Sequence, residues 1–103
     1  MRILLHVQIP HEPFNTYVKD GTAAAKMKRI LDELKPEAAY FTEFDGRRSG
    51  LLVFQMEDCS EIPSIAEPWF LTFNADCHFQ VAMTPEDLAK ADLDKLGEKW
   101  KKH

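Results

Sequence analysis

Much that would mark a membrane, secreted or nucleic-acid-binding protein is missing from this sequence. No apolar run approaches the ~20 residues that a bilayer-spanning helix needs. The opening Met1-Arg2-Ile3-Leu4-Leu5 is broken at once by His6, Gln8 and Pro10, too short and too polar for a signal sequence. Only two cysteines occur, Cys59 and Cys77, and their spacing fits no zinc or redox motif. Two thiols without a signal peptide suit a reducing compartment, where they stay free, so a soluble, cytoplasmic protein is expected. Positive charge is also scarce: 13 Lys and Arg stand against 17 Asp and Glu, for a formal net charge of −4. That balance argues against a nucleic-acid binder, which needs a concentrated basic face. The basic runs are short. Lys26-Met27-Lys28-Arg29 reads as a solvated helix face, Arg47-Arg48 as a hairpin tip, and the stretch from Lys99 to Lys102 as a frayed terminus. No phosphate loop, dinucleotide fingerprint or Ser-His-Asp order is present, and no cofactor is expected.

What is present is the makings of one small domain, residues 1–103, with a single core. Hydrophobic residues make up 45% and charged residues 29%, ordinary proportions for a globular chain. At this size an oligomer would add useful stability. Residues 2–9 read as a strand, with Ile3, Leu5, Val7 and Ile9 apolar at alternate positions. Residues 14–35 read as the main helix, with Phe14, Val18, Gly21, Ala25, Leu31 and Leu34 at helical spacing; Asp20-Gly21 is its weak point. Lys35-Pro36 ends it. Residues 38–44 and 50–57 form a hairpin around Asp45-Gly46, in which Arg47 to Gly50 can lengthen the loop. Residues 58–72 read as a second helix with Asp58 or Ser60 as cap and a kink or split expected at Pro68. Residues 75–83 read as the last strand, apolar at Ala75, Cys77, Phe79, Val81 and Met83. Thr84-Pro85-Glu86-Asp87 then opens a C-terminal helix: a capping hydroxyl, a proline at the first position and acids at the positive end. Ala89, Leu93, Leu96 and Trp100 give it an apolar face, with Trp100 its expected anchor on the body or on a partner subunit.

The order β-α-β-β-α-β with an appended helix is the ferredoxin-like α+β pattern. It builds a four-stranded antiparallel sheet with helices on one face, and the bare face has to be covered by something else. With this order, the hairpin end Phe54-Gln55-Met56-Glu57-Asp58 and the run Val81-Ala82-Met83-Thr84-Pro85-Glu86-Asp87-Leu88 resemble the dimeric α–β barrel superfamily, in particular its small bacterial members. The resemblance covers nearly the whole chain and rests on fold pattern rather than on a catalytic motif. It implies a homodimer that packs bare sheet faces together around a pocket, with Phe54 and Met56 facing that barrel. Relatives include cofactor-independent monooxygenases, muconolactone isomerases, chlorite dismutases and heme-degrading enzymes, and a shared fold transfers none of these activities. The Asn, Trp and His set of the heme-degrading type has no match here, nor does a proximal heme histidine.

Parity supplies the candidate site. The first and last strands are antiparallel neighbours in this topology, and their odd positions face the helices. Leu4, His6, Gln8, Asp76, His78 and Gln80 then share the bare face, with His6 expected opposite His78, Gln8 opposite Asp76 and Leu4 opposite Gln80. Burying such groups is costly unless they are hydrogen-bonded. Three readings stay open. The stripe is a satisfied polar network at a dimer interface; or it lines a pocket where His6 or His78 acts as acid and base, histidine being the residue that titrates near neutrality; or two histidines with Asp76 or Glu43 hold zinc or iron, which no spacing motif supports. Tyr40, Glu43 and Phe54 of the hairpin and Trp69 beside Pro68 are further candidates to line a ligand site, although core packing suits Phe54 and Trp69 at least as well. Cys77 should be inert on the helix side. The functional expectation is a homodimer binding a small, partly apolar molecule as a cofactor-independent isomerase or oxygenase. The alternative is a non-catalytic interaction or assembly module.

Overall fold

The computed structural model describes residues 1–101; Lys102, the last of the basic run, lies outside them. The first strand, β1 (Arg2–Ile9), leads into two helices, α1 (His11–Asp20) and α2 (Ala23–Leu34). A hairpin of β2 (Ala38–Phe44) and β3 (Arg47–Gln55) follows. A single 3-10 turn (Cys59–Glu61) leads to α3 (Ile62–Phe73), then β4 (Asp76–Ala82), α4 (Pro85–Lys90) and α5 (Leu93–Trp100). The strands form one antiparallel sheet in the order β2-β3-β1-β4. This is the ferredoxin-like α+β fold, with an added C-terminal pair of short helices.

The core is the helix-facing half of the sheet plus the helices laid on it. Ile3, Leu5, Val7 and Ile9 of β1 are buried with Leu52 and Phe54 of β3 and Met56 just beyond it. From α3, Ile65, Ala66, Trp69 and Phe73 close over them. Phe73 is the hub of an aromatic cluster, its ring centroid 5.1 Å from Phe14, 6.2 Å from Tyr17 and 6.2 Å from Trp69. The Trp69 indole fills the centre, and its buried Nε1 has no hydrogen-bond partner among the described residues.

Local chemistry explains most boundaries and corrects several expectations. The single helix expected over residues 14–35 is two helices. Gly21 adopts φ 82° and ends α1, a left-handed conformation that favours glycine, and Asp20 Oδ1 then takes the Thr22 N–H and hydroxyl to start α2. The break resets the helical phase, so Val18 and Ala25 are exposed and the inward side chains are Phe14, Tyr17, Met27, Ile30, Leu31 and Leu34. The hairpin loop is only Asp45-Gly46, both with positive φ, the two-residue turn whose twist matches the strands. Arg48 is therefore strand and not tip: its Nη1 donates to Asn15 Oδ1 at 2.8 Å and its guanidinium lies over the Phe14 ring. Pro68 does not split α3, which continues past it to Phe73. Val81 and Met83, expected to face the helices, are exposed because the helix layer stops short of that end of β4.

Thr84 caps α4 as its sequence implied: its hydroxyl accepts from Asp87 N–H while Asp87 Oδ2 accepts from Thr84 N–H. The expected single C-terminal helix is interrupted at Asp92, which has φ 53° and caps α5 through the Lys95 N–H. No residue of α4 or α5 is buried. The molecule is correspondingly long, 63 × 28 × 20 Å. No helix among the described residues is long and apolar enough to cross a membrane.

Candidate functional site on the open sheet face

His6 sits near the middle of the sheet. Its cross-strand partners are Leu51 on β3 and His78 on β4. Directly paired residues share a face, and the register is the one the parity argument proposed: His6 opposite His78, Gln8 opposite Asp76, Leu4 opposite Gln80. The two imidazole centroids are 5.8 Å apart and the rings tilted by 34°. The hairpin completes this face with Ser49, Leu51 and Val53 from β3 and Tyr40, Thr42 and Phe44 from β2. Helices α1 to α3 lie on the other side, so Leu4, Tyr40, Phe44, Leu51, Asp76, His78 and Gln80 are exposed.

One polar residue of this face is nonetheless buried. Ser49 is 2% exposed, in contact with the His6 ring. Its hydroxyl donates to the Val7 carbonyl at 3.3 Å, and its oxygen lies 2.5 Å from His6 Nε2. The hydroxyl has one hydrogen for two acceptors: given to Val7 it leaves Nε2–H as the donor and the ring lone pair on Nδ1, and given to Nε2 it requires the other tautomer. The Phe44 ring meets the imidazole edge to face, with centroids 5.1 Å apart and planes at 85°, and Gln8 Nε2 donates to the Phe44 carbonyl at 3.4 Å. His6 is thus held on three sides: by Ser49 below, Phe44 across and His78 beside it. Such an arrangement restrains the orientation of the ring.

The expected site residues divide between two places. His6, Gln8, Tyr40, Asp76, His78 and Gln80 share the open face. Phe54 does not: it pairs with Ile3 on the helix side and is core, as is Met56, which corrects the barrel-facing orientation implied by resemblance. Trp69 is core too, with no exposure, so it walls no pocket. Glu43 pairs with Arg48 and so lies on the opposite parity; its Oε2 accepts the Gly46 N–H at 3.0 Å and braces the turn. Ser49, Phe44 and Leu51 went unnoticed in the sequence. The Asp45-Gly46 turn, taken as a two-residue loop, pairs Phe44 with Arg47 and would have placed them. Among the described residues no group of three or more His, Cys, Asp or Glu converges as a metal site, so the two-histidine-plus-carboxylate alternative is not assembled. Cys77 is pushed up to about 12, by burial first and by the neighbouring Asp76 charge second, which keeps the thiol protonated.

A broader hollow lies elsewhere. About 760 Å³ in volume, it runs along the outer side of α2 and α3 between Lys26, Arg29, Glu33, Glu67, Pro68 and Leu71. Its Lys26 is already engaged with the Thr22 hydroxyl and the Tyr17 ring, whereas the imidazoles of the open face stand side by side on neighbouring strands. The open face is therefore the better place for chemistry.

No protein-family model matches this chain, and no curated protein matches it in sequence. Solved structures do match its shape. One is 5-chloro-2-hydroxyhydroquinone dehydrochlorinase (TftG) from Burkholderia phenoliruptrix AC1100 in complex with 2,5-dihydroxybenzoquinone. It aligns with a TM-score of 0.59 at 16% identity, covering 84% of this chain and 97% of that one. A de novo designed protein, Ferredog-Diesel, aligns at 0.47 with 12% identity over 79% of this chain and 85% of its own. A formyltetrahydrofolate deformylase from Pseudomonas putida KT2440 aligns at 0.48 with 13% identity, over 80% of this chain and 29% of its own. The dehydrochlorinase likeness supports the fold and, at this identity, nothing further.

Proposed function

We propose that this chain is a small-molecule-binding homodimer of the dimeric α–β barrel type. Two copies face each other across their open sheets, and His6 is the acid–base group of the enclosed site. The observation that carries the reading is the buried Ser49 hydroxyl bonded to His6 Nε2 at 2.5 Å on a sheet face that the described residues leave open. A surface histidine needs no such support. A histidine that must hold one orientation for proton transfer does.

The surroundings favour a small, partly apolar ligand with hydroxyl or carbonyl groups. Phe44, Tyr40, Leu4 and Leu51 offer apolar contact, and Gln8, Gln80 and His78 offer hydrogen bonds on the same face. A hydroxylated ring of the kind held by the structurally similar dehydrochlorinase has that chemistry. The reaction class would be a proton transfer or isomerisation that uses no cofactor.

The test is calorimetric titration with 2,5-dihydroxybenzoquinone as probe. We expect saturable binding, weakened about tenfold or more by His6→Ala and to a lesser degree by His78→Ala, with unchanged circular dichroism. No binding to the wild type would remove the ring-ligand reading. If both variants bind normally but lose the dimer, the histidines are interface residues, as in the assembly-module alternative.

A further inference from the structure

The geometry points to a second ligand site, separate from the open sheet face: a small hollow on the helix side in which Arg48 binds the carboxylate of an apolar monocarboxylic acid. The site belongs to a single chain and stands without the homodimer.

Register puts the hollow together. Leu52 and Phe54 of β3 are buried under the helices, so Gly50 and Arg48, two and four residues before Leu52, share that side. Across the hairpin Phe41 pairs with Gly50 and Glu43 with Arg48, and paired residues share a face. The hollow lies between this stretch and the first two helices. It has about 350 Å³, with Ile9 from β1, Phe14 from α1, Met27 from α2 and Phe41 from β2 among its lining residues. That volume is at the small end of ligand pockets, ~300–1,000 Å³. Gly50 helps to shape it. A Cβ there would come within 3.1 Å of the Phe41 ring, so the glycine lets that ring lie close to the sheet. Although it is on the helix side, Phe41 is 49% exposed; the helices leave this edge accessible.

Arg48 is the one charged residue of the lining, and its guanidinium is already held. Its Nη1 donates to Asn15 Oδ1 at 2.8 Å, and its Cζ stands 4.5 Å from the Phe14 ring centroid, a stack that orients the planar fork. Both partners are neutral. Glu43, the carboxylate nearest in register, accepts the Gly46 N–H instead, and among the described residues none forms an ion pair with Arg48. Nε and Nη2 donate to no described residue either. A half-buried guanidinium with that edge unused, beside apolar walls, suits a carboxylate, which can take two parallel N–H bonds. One cation with no second positive group beside it balances one negative charge. A monocarboxylate therefore fits better than a phosphate dianion, whose second charge would be desolvated without a partner.

The experiment is an NMR titration of the full chain with sodium benzoate, read at the Met27 methyl and the Arg48 Nε–H. Benzyl alcohol and sodium chloride are the matched probes. We expect saturable shifts at both positions with benzoate, a dissociation constant about tenfold or more higher for the neutral alcohol, and no such shifts with chloride. Arg48→Met keeps an apolar stem and removes the fork, and should weaken benzoate about tenfold or more. Phe41→Ala, at a half-exposed wall, should weaken both ring probes several-fold. Lys26→Ala, in the broader hollow along α2 and α3, should change neither. Absence of saturable shifts overturns the site, as does equal affinity for benzoate and benzyl alcohol or reproduction of the shifts by chloride. Wild-type affinity in Arg48→Met would mean that the guanidinium only covers Phe14. Shifts confined to His6 and His78, and lost in His6→Ala, would put the acid on the open face and reject this hollow. Should Arg48→Met fail to fold, Phe41→Ala and the pair of ring probes decide the question.

Discussion

At the scale of single residues, Ser49 is the most informative side chain. Its hydroxyl serves the backbone and the imidazole at once, and it is nearly sealed from water. Ser49→Ala should cost ~1 kcal/mol in a denaturant melt, the usual net worth of a buried hydrogen bond. It should also let the His6 ring turn, which NMR would show as mixed Nδ1–H and Nε2–H tautomers where the wild type has one. A single unchanged tautomer would mean that Phe44 alone orients the ring. Asp58 and Asp87 carry a different kind of signal. Each accepts a backbone N–H at a helix start, Asp58 from Ser60 and Asp87 from Thr84, with hydroxyl bonds as a second cause, and these hold both carboxyls below the ordinary 3.8. A depressed carboxylate contributes stability that is complete above its unfolded pKa and is lost as pH falls through the folded one. The cap on α4 should thus survive acidification to about pH 4 and loosen only below it, as carbon-detected titration of Asp87 can follow.

At the scale of elements, the hairpin decides the site. Asp45 and Gly46 both hold left-handed backbone, and this two-residue turn sets which β2 and β3 side chains share a face with His6. Gly46→Ala puts a Cβ on a residue at φ 78°, a conformation that costs an L-residue ~1 kcal/mol or more. A thermal melt should show that loss, and hydrogen exchange should localise it to β2 and β3. Uniform loss of protection across the sheet would contradict a local role for the turn. β1 and β4 were legible in the sequence because alternation alone assigns their faces; Leu4, His6 and Gln8 needed no knowledge of any turn. Ser49 and Phe44 were not, because one residue of slip inverts a strand and Arg47 to Gly50 read equally well as loop. The helices failed in a related way. Gly21 breaks the first one and shifts its phase, so an apolar stripe counted straight through residues 14–35 mixes inward side chains such as Leu34 with the exposed Val18. Phe54 and Trp69 were offered to a pocket on chemical type, whereas strand parity and helix packing put them in the core.

At the scale of the whole molecule, the chain has two sides that its own fold does not cover: the open sheet with its two histidines, and the arm with its aliphatic stripe. The ferredoxin-like topology creates the first, because both helix crossovers fall on one face. The left-handed Asp92 separates α4 from α5, and no residue of either helix is buried. A sheet-to-sheet dimer would cover the first, and it would turn a shallow polar stripe into an enclosed, partly dry chamber where an imidazole has a stronger effect on a bound molecule.

The elongated outline also bears on how the oligomer must be counted. An 11.9 kDa chain with a radius of gyration of 17.8 Å is well beyond the ~13 Å of a compact chain of about 100 residues. It would meet more friction than its mass suggests and leave a sizing column early, in the position of something heavier. Two chains packed sheet to sheet would be less elongated for their mass than one. The two species would then elute closer together than a twofold mass ratio implies, and only a method that weighs the particle can tell them apart.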